Sequence, residues 1–353
     1  MSAKFPRGSE WRKWDLHVHT PASDGTGTPD EIVSKAIAEH LAVIAITDHH
    51  NVSYIDEVRN AAKGKPLTVI SGIEFRSEYG SKSVHFIAYF PEKHKMTELN
   101  SQSLHDLILS PLGVSRTAII AKGRESNASL SDDEAFKHGM FLVQVDFKKA
   151  ADIVHSYGGL ISVHNGKKSN GLDTEVKHMG SSPRNAYSLY ESLGTLKEEL
   201  LRNYIDICDV GKEEDVNFYL NTFNKPSILA SDAHNVMDIG SKFTWIKADP
   251  TFNGLRQILF EPEERVKIQA DMPEQKAIYQ TLKNVSLNEN GFWKQTLPLN
   301  PGLVAIVGGR SSGKSNLLTA IAWKAGYSDL LDCDVGEEST SHSFLKEHLP
   351  AVN

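Results

Sequence analysis

Short apolar runs alternate with segments whose apolar residues recur at helical spacing over most of the chain. The runs cover residues 14–18, 41–46, 67–73, 86–90, 160–163 and 228–230. The helical patterns cover residues 28–40, 54–63, 147–156, 195–204, 212–223 and 252–260. Because short buried runs of this kind predict strands, their alternation with helices predicts an α/β fold.

One stretch, residues 91–145, breaks this alternation. It is polar and mixed in composition, and it is long for a connection between a strand and a helix. Within it, residues 115–125 carry the cations Arg116, Lys122 and Arg124. We therefore expect an insertion near the mouth of a barrel.

Most of the apolar runs end at side chains that can bind metal ions. The sequence Asp-Leu-His-Val-His-Thr at residues 15–20 places His17 and His19 two positions apart, so both project to the same face of a strand. Such a pair alone is weak evidence. Similar side chains follow other runs, namely Asp48, His49, Glu74, His164, Asp232 and His234. We predict that they meet, because an α/β barrel gathers the C-terminal ends of its strands at one site.

These motifs together resemble the polymerase-and-histidinol-phosphatase (PHP) family of metal-dependent phosphoesterases. They comprise residues 15–20, Ser23-Asp24-Gly25, Thr47-Asp48-His49, Gly72-Ile73-Glu74, His85, His164 and Ser231-Asp232-Ala233-His234. The resemblance implies a distorted (β/α)7 barrel with two or three divalent ions. By that analogy the ligands are His17, His19, Asp24, His49, Glu74, His85, His164, Asp232 and His234. His85 precedes its apolar run, so the pattern alone does not place it in the site. Asn165 stands where the family often has proline, which alters a turn and leaves the ligand His164 in place.

The ligand types narrow the chemistry. Imidazoles and carboxylates without thiolates suit Zn, Mn or Fe and do not choose among them. Two ions about 3.5–4 Å apart can clamp an in-line displacement at phosphorus, and the carboxylate of Glu74 is suited to bridge them. We predict Glu74, Asp232 and His234 as catalytic residues, and Asp48 as a residue that orients a ligand histidine.

Three cations close to these motifs are candidates for binding substrate phosphate. Arg76 follows the Glu74 run, and Lys167 and Lys168 follow His164. For each of them, a solvated surface charge is an equally good interpretation.

A second motif lies near residue 310. Its residues satisfy the phosphate-binding pattern G-x-x-x-x-G-K-S: Gly308, Gly309, Arg310, Ser311, Ser312, Gly313, Lys314 and Ser315. Residues 303–307 predict a buried strand before it, and residues 316–324 predict a helix after it. In such a loop, backbone amides hold phosphates, while Lys314 would reach the β- and γ-phosphates and Ser315 would hold Mg²⁺. We therefore predict ATP and Mg at this P-loop.

Residues 297–316 resemble the start of an ATPase head of the ABC and chromosome-maintenance (SMC) type. A PHP barrel followed by such a head resembles the TrlF-like PHP–ATPase family. That resemblance implies action on nucleic acid in DNA repair or anti-phage defence, with an intact protein that forms a homodimer through the head. Only the Walker A motif is present, so we expect nucleotide binding without efficient ATP hydrolysis. A fragment of a longer protein and a remnant head both remain open.

Length and composition bound these predictions. We divide the 353 residues into a barrel at 1–272, a linker at 273–288 and a partial P-loop segment at 289–353. The formal charge of −7 provides no global attraction to nucleic acid, so any contact would need a local patch. Two cysteines are too few for a disulfide framework. No apolar run approaches the roughly 20 residues of a membrane span, and we expect a cytoplasmic protein.

Three hypotheses for the function remain. The favoured one is a multi-metal phosphodiesterase or nuclease that cleaves nucleic acid and is regulated by the appended head. The second is a phosphomonoesterase on a small nucleotide or sugar phosphate. The third is a non-catalytic, nucleotide-dependent DNA-sensing module. A nuclease needs an open basic groove and a monoesterase a closed pocket, and the insertion at 91–145 could build either.

Overall fold

A computed structural model describes residues 7–80, 82–125, 127–175, 195–273, 276–286 and 296–326. The chain divides into two compact units. One is Trp11–Pro273, and the other joins Met1–Glu10 to Glu274–Asn353. Parts of the predicted linker and P-loop segment, residues 287–295 and 327–353, lie outside the described residues, and the predicted domain bounds stay a prediction.

The larger unit is built on one mixed sheet of nine strands. Its strands and those of two small sheets are β1 (Glu10–Val18), β2 (Leu41–Ile46), β3 (Thr68–Arg76), β4 (His85–Phe90), β5 (Lys93–His94), β6 (Thr97–Glu98), β7 (Leu160–Asn165), β8 (Ile207–Val210), β9 (Ser227–Ile228), β10 (Thr244–Ala248), β11 (Val266–Lys267), β12 (Asn284–Ser286) and β13 (Thr296–Pro298). The large sheet has the order β11-β10-β1-β2-β3-β4-β7-β8-β9, whereas β5 pairs with β6 and β12 with β13.

The sheet curves into a nearly closed barrel. The Thr244 hydroxyl in β10 donates to the Leu229 carbonyl and accepts from the Leu229 N–H, both at 2.8 Å, which links the chain after β9 to β10. Residue Val18 at the end of β1 also forms an isolated parallel bridge with Ala233. The predicted α/β class is thus confirmed. Among the described residues the sheet has nine strands, whereas the resemblance implies seven, and β10 and β11 extend the sheet beyond β1.

The direction of β4 resolves the position of His85. Strand β4 is antiparallel to both of its neighbours, β3 and β7, whereas the pairs β1–β2, β2–β3, β7–β8 and β8–β9 are parallel. The first residue of β4 therefore lies at the edge where the neighbouring strands end, and His85 pairs with Arg76 in register. A histidine that precedes its strand reaches the same site as histidines that follow theirs.

Helices cover the outer face of the sheet. The described α-helices of the larger unit are α1 (Pro29–Ala38), α2 (Ile55–Ala62), α3 (Ser101–Leu104), α4 (Arg116–Arg124), α5 (Asp132–Met140), α6 (Phe147–Ser156), α7 (Leu172–Glu175), α8 (Thr195–Asn203), α9 (Val216–Phe223), α10 (Phe252–Gln257) and α11 (Pro262–Arg265), and the smaller unit contains α12 (Lys314–Lys324). Helix α1 begins with a capping box, in which the Thr28 side chain accepts from the Glu31 N–H and the Glu31 carboxylate accepts from the Thr28 N–H. Its residues Ile32, Val33 and Ala36 are buried against the sheet.

A β-bulge in β1 aims the first motif. Leu16 belongs to an apolar cluster with Ile70 and Ile87, while the adjacent His17 approaches Glu74. In a regular strand, neighbouring residues face opposite sides. The register of β1 against β2 shifts between Asp15 and Val18, so both Leu16 and His17 can lie on the face that carries Glu74.

The predicted insertion contains a tightly packed helix pair, α4 and α5. A Cβ on Gly123 would lie 1.9 Å from the Ala135 carbonyl oxygen, and a Cβ on Gly139 would lie 1.9 Å from the Ile119 carbonyl oxygen. Only glycine permits backbones to approach this closely. The helix pair is thus fixed by two glycines in contact with the backbone of the opposite helix.

The smaller unit departs from one prediction. In the described residues 301–310 there is no strand, and Leu303 and Val307 are each 87% exposed, so the buried strand predicted at 303–307 is wrong. The helix predicted at 316–324 is present as α12, which begins two residues earlier. Among the described residues of both units, no helix combines the length and apolarity needed to cross a membrane.

Candidate metal centre

All nine predicted ligands converge in the larger unit. They form four overlapping groups whose ligand atoms lie within 4.8 Å of one another. The groups are His19, Asp24, His49 and His234; His17, Glu74 and His164; His17, His19 and Asp232; and His49, Glu74 and His85. Residues separated by more than 200 positions in the sequence, such as His17 and His234, therefore contribute to one cluster.

Glu74 lies at the centre of the cluster. Its Oε2 is 3.2 Å from a ring nitrogen of each of three histidines, His17, His19 and His49. Its Oε1 is 2.7 Å from Nδ1 of His85. The side chain is almost completely buried. One carboxylate thus presents each of its oxygens to a different set of imidazoles, which is the arrangement of a bridging ligand.

The cluster opens to solvent on one side. Asp24 Oδ2 lies 3.1 Å from His234 Nε2, and Asp24 Oδ1 lies 3.4 Å from His19 Nδ1. The side chains of His234 and Asp232 are 44% and 35% exposed, whereas that of His19 is fully buried. A substrate can therefore reach the centre past Asp24, Asp232 and His234.

The donor atoms fit divalent ions. Nε2 of His17 lies 3.0 Å from Nε2 of His19, so two imidazole nitrogens point toward each other. His49 Nδ1, His164 Nε2 and Asp24 Oδ1 are buried and lack a hydrogen-bond partner. Unsatisfied buried polar atoms are costly. A metal ion would satisfy them, and a donor set of nitrogen and oxygen suits Zn, Mn or Fe.

Several ligands are already in the charge state that coordination requires. Burial lowers the pKa of His49 to about 4 and that of His164 to about 3, so both rings are neutral at pH 7. Burial acts to raise the pKa of Asp24, but its hydrogen bond from His234 and the nearby imidazoles lower it to about 2. Neutral imidazoles and an ionised carboxylate are the forms that bind metal.

His17 and His19 behave differently. Burial acts to lower the pKa of His17, but the charges of Asp232 and Glu74 outweigh it and raise the pKa to about 9. The pKa of His19 is likewise raised to about 10 by hydrogen bonds with Asp232 and Glu74, against the effect of burial. Bound cations would replace these protons between the same carboxylates, so metal binding would release protons.

Asp15, the first residue of the motif at 15–20, positions the loop that carries the predicted ligands Asp232 and His234. Its carboxylate accepts from the Ser231 N–H at 3.0 Å, from the Ser231 hydroxyl at 2.6 Å and from the Gly240 N–H at 2.9 Å. Asp232, which directly follows Ser231, has a left-handed backbone conformation with φ of 57°. The anchored Ser231 therefore helps to hold Asp232 in a conformation that L-residues adopt rarely.

Asp48 binds the loop that follows the first histidine pair. Its carboxylate accepts from the Thr20 N–H at 2.8 Å, from the Thr20 hydroxyl at 2.7 Å and from the Ser23 hydroxyl at 2.5 Å. The Ser23 oxygen in turn lies 3.3 Å from Nδ1 of His19. Asp48 is therefore connected to the predicted ligand His19 through the Ser23 hydroxyl.

The three predicted phosphate-binding cations differ in position. Arg76 Nη1 lies 2.9 Å from His85 Nε2, and its Nη2 donates to the Lys82 carbonyl at 3.0 Å, so Arg76 borders the cluster. The Lys168 side chain is only 10% exposed, with Nζ 2.6 Å from Asp209. Lys167 is exposed and lies 3.4 Å from Glu214, as the surface-charge interpretation expects.

Asp209 is a buried residue of the site that the sequence analysis missed. Its Oδ2 lies 3.5 Å from His17 Nδ1 and 3.6 Å from His164 Nε2. Burial acts to raise the pKa of Asp209, but Lys168 and the two histidines lower it. The signal was a short apolar stretch, β8, with an aspartate near its C-terminal end.

Similarity to known proteins agrees with this geometry. Residues 15–156 match the sequence profile of the PHP domain. A 5'-3' exoribonuclease of Haemophilus influenzae is 31% identical over 141 residues, which cover 38% of this chain and 52% of the relative. A 3',5'-nucleoside bisphosphate phosphatase of Chromobacterium violaceum is 34% identical over 73 residues, which cover 21% of this chain and 26% of the relative.

The matched part of each relative is limited. The chain spans about half the length of the Haemophilus relative and about a quarter of the Chromobacterium relative. A solved structure of an amidohydrolase from Chromobacterium violaceum aligns with 73% of this chain and 98% of that chain, at 17% identity and a TM-score of 0.47. That structural likeness is too distant to bear on the activity. Residues 15–156 are thus similar to the PHP domain, and the nine residues that the resemblance implies as ligands converge in one cluster.

Proposed function

We propose that the barrel is a metal-dependent phosphoric-ester hydrolase that cleaves phosphodiester bonds of nucleic acid. The observation that carries this proposal is the central, buried Glu74, whose two oxygens face different histidines of one cluster. Adjacent divalent ions, when bound, supply Lewis acidity at the phosphoryl oxygens and lower the pKa of coordinated water. Zn, Mn and Fe are all compatible with the donor set.

The residues of the chain have separate tasks in this proposal. Glu74 holds the two halves of the cluster together, and the fully buried histidines fix its geometry. Asp232 and His234 are the partly exposed members, so they are the ligands that a substrate phosphate meets first. Arg76, which borders the cluster at His85, is the cation best placed to attract that phosphate. Lys168 instead offsets the buried charge of Asp209.

The name of one relative supports nucleic acid as the substrate, whereas the ion pairs on the insertion argue against contacts with a long strand. The Haemophilus relative is named an exoribonuclease. On the insertion, Arg116 pairs with Asp133, Lys122 with Glu125 and Arg124 with Asp132, so the charge of these three cations is offset before any contact with a long backbone. We therefore propose attack near the end of a strand. The alternative is a phosphomonoesterase on a small nucleotide, which the name of the Chromobacterium relative favours.

We also propose that the loop from Gly308 to Ser315 binds the phosphates of ATP with Mg²⁺. The G-x-x-x-x-G-K-S pattern supports this, as does a helix, α12, that begins at Lys314. Coupling of this loop to the barrel, a homodimer of ATPase heads, and a role in DNA repair or phage defence rest on the family resemblance alone.

The test is hydrolysis of a 5'-phosphorylated RNA oligomer and of p-nitrophenyl phosphate, each with added Mn²⁺ or Zn²⁺. We expect cleavage of the oligomer at its end and its loss in Asp232→Asn. Asp152→Asn, an exposed acid on helix α6, is the matched control and should keep full activity. A preference for the monoester would replace the nuclease proposal with its alternative. Absence of both activities in a metal-loaded protein would refute phosphoester hydrolysis.

A further inference from the structure

Two exposed apolar residues lie beside the metal centre, at the end of helix α5. Phe141 and Leu142 are 39% and 38% exposed, whereas the preceding Met140 is completely buried. The Phe141 ring makes an edge contact with the ring of the ligand His49, with centroids 5.4 Å apart and planes inclined by 68°. An exposed apolar residue alone needs no explanation. A neighbouring pair, one member of which touches a predicted metal ligand, suggests a role at the site.

The position of this pair is fixed by the chain on both sides. After it, the Val145 N–H donates to the Arg76 carbonyl at 2.9 Å, which ties the segment to the end of β3, two residues past Glu74. Before it, Gly139 packs against the backbone of Ile119. Because both ends are held, the Phe141 ring stays next to the cluster and forms part of a preformed surface.

The chemistry of this surface suits a planar apolar group. Three cations of the insertion, Arg116, Lys122 and Arg124, are paired with acids, whereas Phe141 and Leu142 offer apolar contact area. Nucleobases stack on exposed aromatic side chains, and such stacking tolerates any base because every base has a π-face. A base joined through its sugar to a phosphate at the metal centre lies beside that phosphate.

We infer that Phe141 is a stacking platform for the nucleobase of the nucleotide whose phosphate lies at the metal centre. This inference rests on the proposed function, since it takes the ligand to be a nucleotide. It adds a recognition site for the base, and it explains how a protein with paired surface cations could bind a nucleotide in preference to a simple phosphate ester.

The experiment measures binding, so that it does not depend on turnover. Calorimetry on the full chain loaded with Mn²⁺ compares adenosine 5'-monophosphate with ribose 5-phosphate, which lacks the base. We expect the mononucleotide to bind about tenfold more tightly, the order of one base–aromatic stack. Phe141→Leu should remove this advantage and leave the binding of ribose 5-phosphate unchanged, whereas Phe141→Trp should retain it.

Phe260→Leu is the matched control, since Phe260 is an exposed phenylalanine (77%) in the segment after α10. It should bind both ligands as the wild type does. An equal affinity of the wild type for the two ligands would overturn the inference, as would an advantage that survives in Phe141→Leu. Failure of the proposed function would appear elsewhere, as absent hydrolysis of the RNA oligomer, and would leave the binding comparison readable.

Discussion

The metal centre and the loop at Gly308–Ser315 were both predicted from short motifs, and they differ in how the fold treats them. In the barrel, ligands from distant strand ends meet, and most are buried around Glu74. In the loop, the Lys314 ammonium donates to carbonyls of its own loop, Gly308 at 2.8 Å and Gly309 at 2.6 Å. The barrel motif brings together residues from distant parts of the chain, whereas these two hydrogen bonds of Lys314 stay within the loop.

The difference teaches what a motif needs in order to become a site. Nine donors on separate elements can converge only if the whole barrel is correct, so their convergence tests the fold as well as the chemistry. A contiguous loop forms from local turns, such as the positive φ of Ser311 and Gly313, and places no demand on distant residues. Among the described residues the strand expected before a P-loop, at 303–307, is absent, whereas the helix expected after it is present as α12.

The largest effect on activity and stability should follow removal of metal. Dialysis against a chelator should reduce phosphoester hydrolysis to background, because the proposed attack depends on bound ions. The melting temperature should also fall, since buried ligand atoms such as His49 Nδ1 and His164 Nε2 would then remain unsatisfied. Calorimetry and activity before and after re-addition of Mn²⁺ measure both. If the chelator changes neither the melting temperature nor the activity, the cluster is not a metal site.

The second effect compares two neighbouring lysines. Asp209→Asn leaves Lys168 buried without its acidic partner, and loss of one member of a buried pair costs about 3–5 kcal/mol of unfolding free energy. Glu214→Gln breaks the pair of exposed Lys167 and should cost less than about 1 kcal/mol. Chemical denaturation of both variants measures the difference. Equal losses would contradict the assignment of Lys168 to the interior of the site.

The third effect compares glycines in the two regions. Gly139→Ala forces a Cβ against the Ile119 backbone, so we expect a loss of about 1–3 kcal/mol as α4 and α5 separate. A Cβ on Gly309 in the loop meets nothing within 4 Å, so Gly309→Ala should change stability by less than about 0.5 kcal/mol. Thermal unfolding of both variants measures these two changes in stability. A neutral Gly139→Ala would mean that the helix pair is loosely packed.

Much of the barrel could be predicted from the sequence, because strand-end ligands mark both the strands and their common edge. His85 needed the family resemblance, since nothing local shows that β4 runs antiparallel to its neighbours. Asp209 was missed because β8 spans only Ile207–Val210, too short for a clear apolar run. Within the insertion, the packing of α4 against α5 depends on the contact of Gly139 with Ile119, which no spacing rule reveals.

The smallest effect on the stability and on the activity of the barrel is expected of Lys314→Ala. Its hydrogen bonds stay within the loop, so the substitution should leave the melting temperature and the metal-dependent hydrolysis by the barrel unchanged. It should abolish binding of ATP with Mg²⁺ if the loop acts as proposed, since the ammonium is the group that meets the β- and γ-phosphates. Equilibrium binding of a fluorescent ATP analogue, measured beside RNA hydrolysis on the same samples, separates the two readouts. A fall in RNA hydrolysis in this variant would contradict the independence of the two sites. It would mean that activity in the barrel depends on a loop whose described lysine contacts are all local.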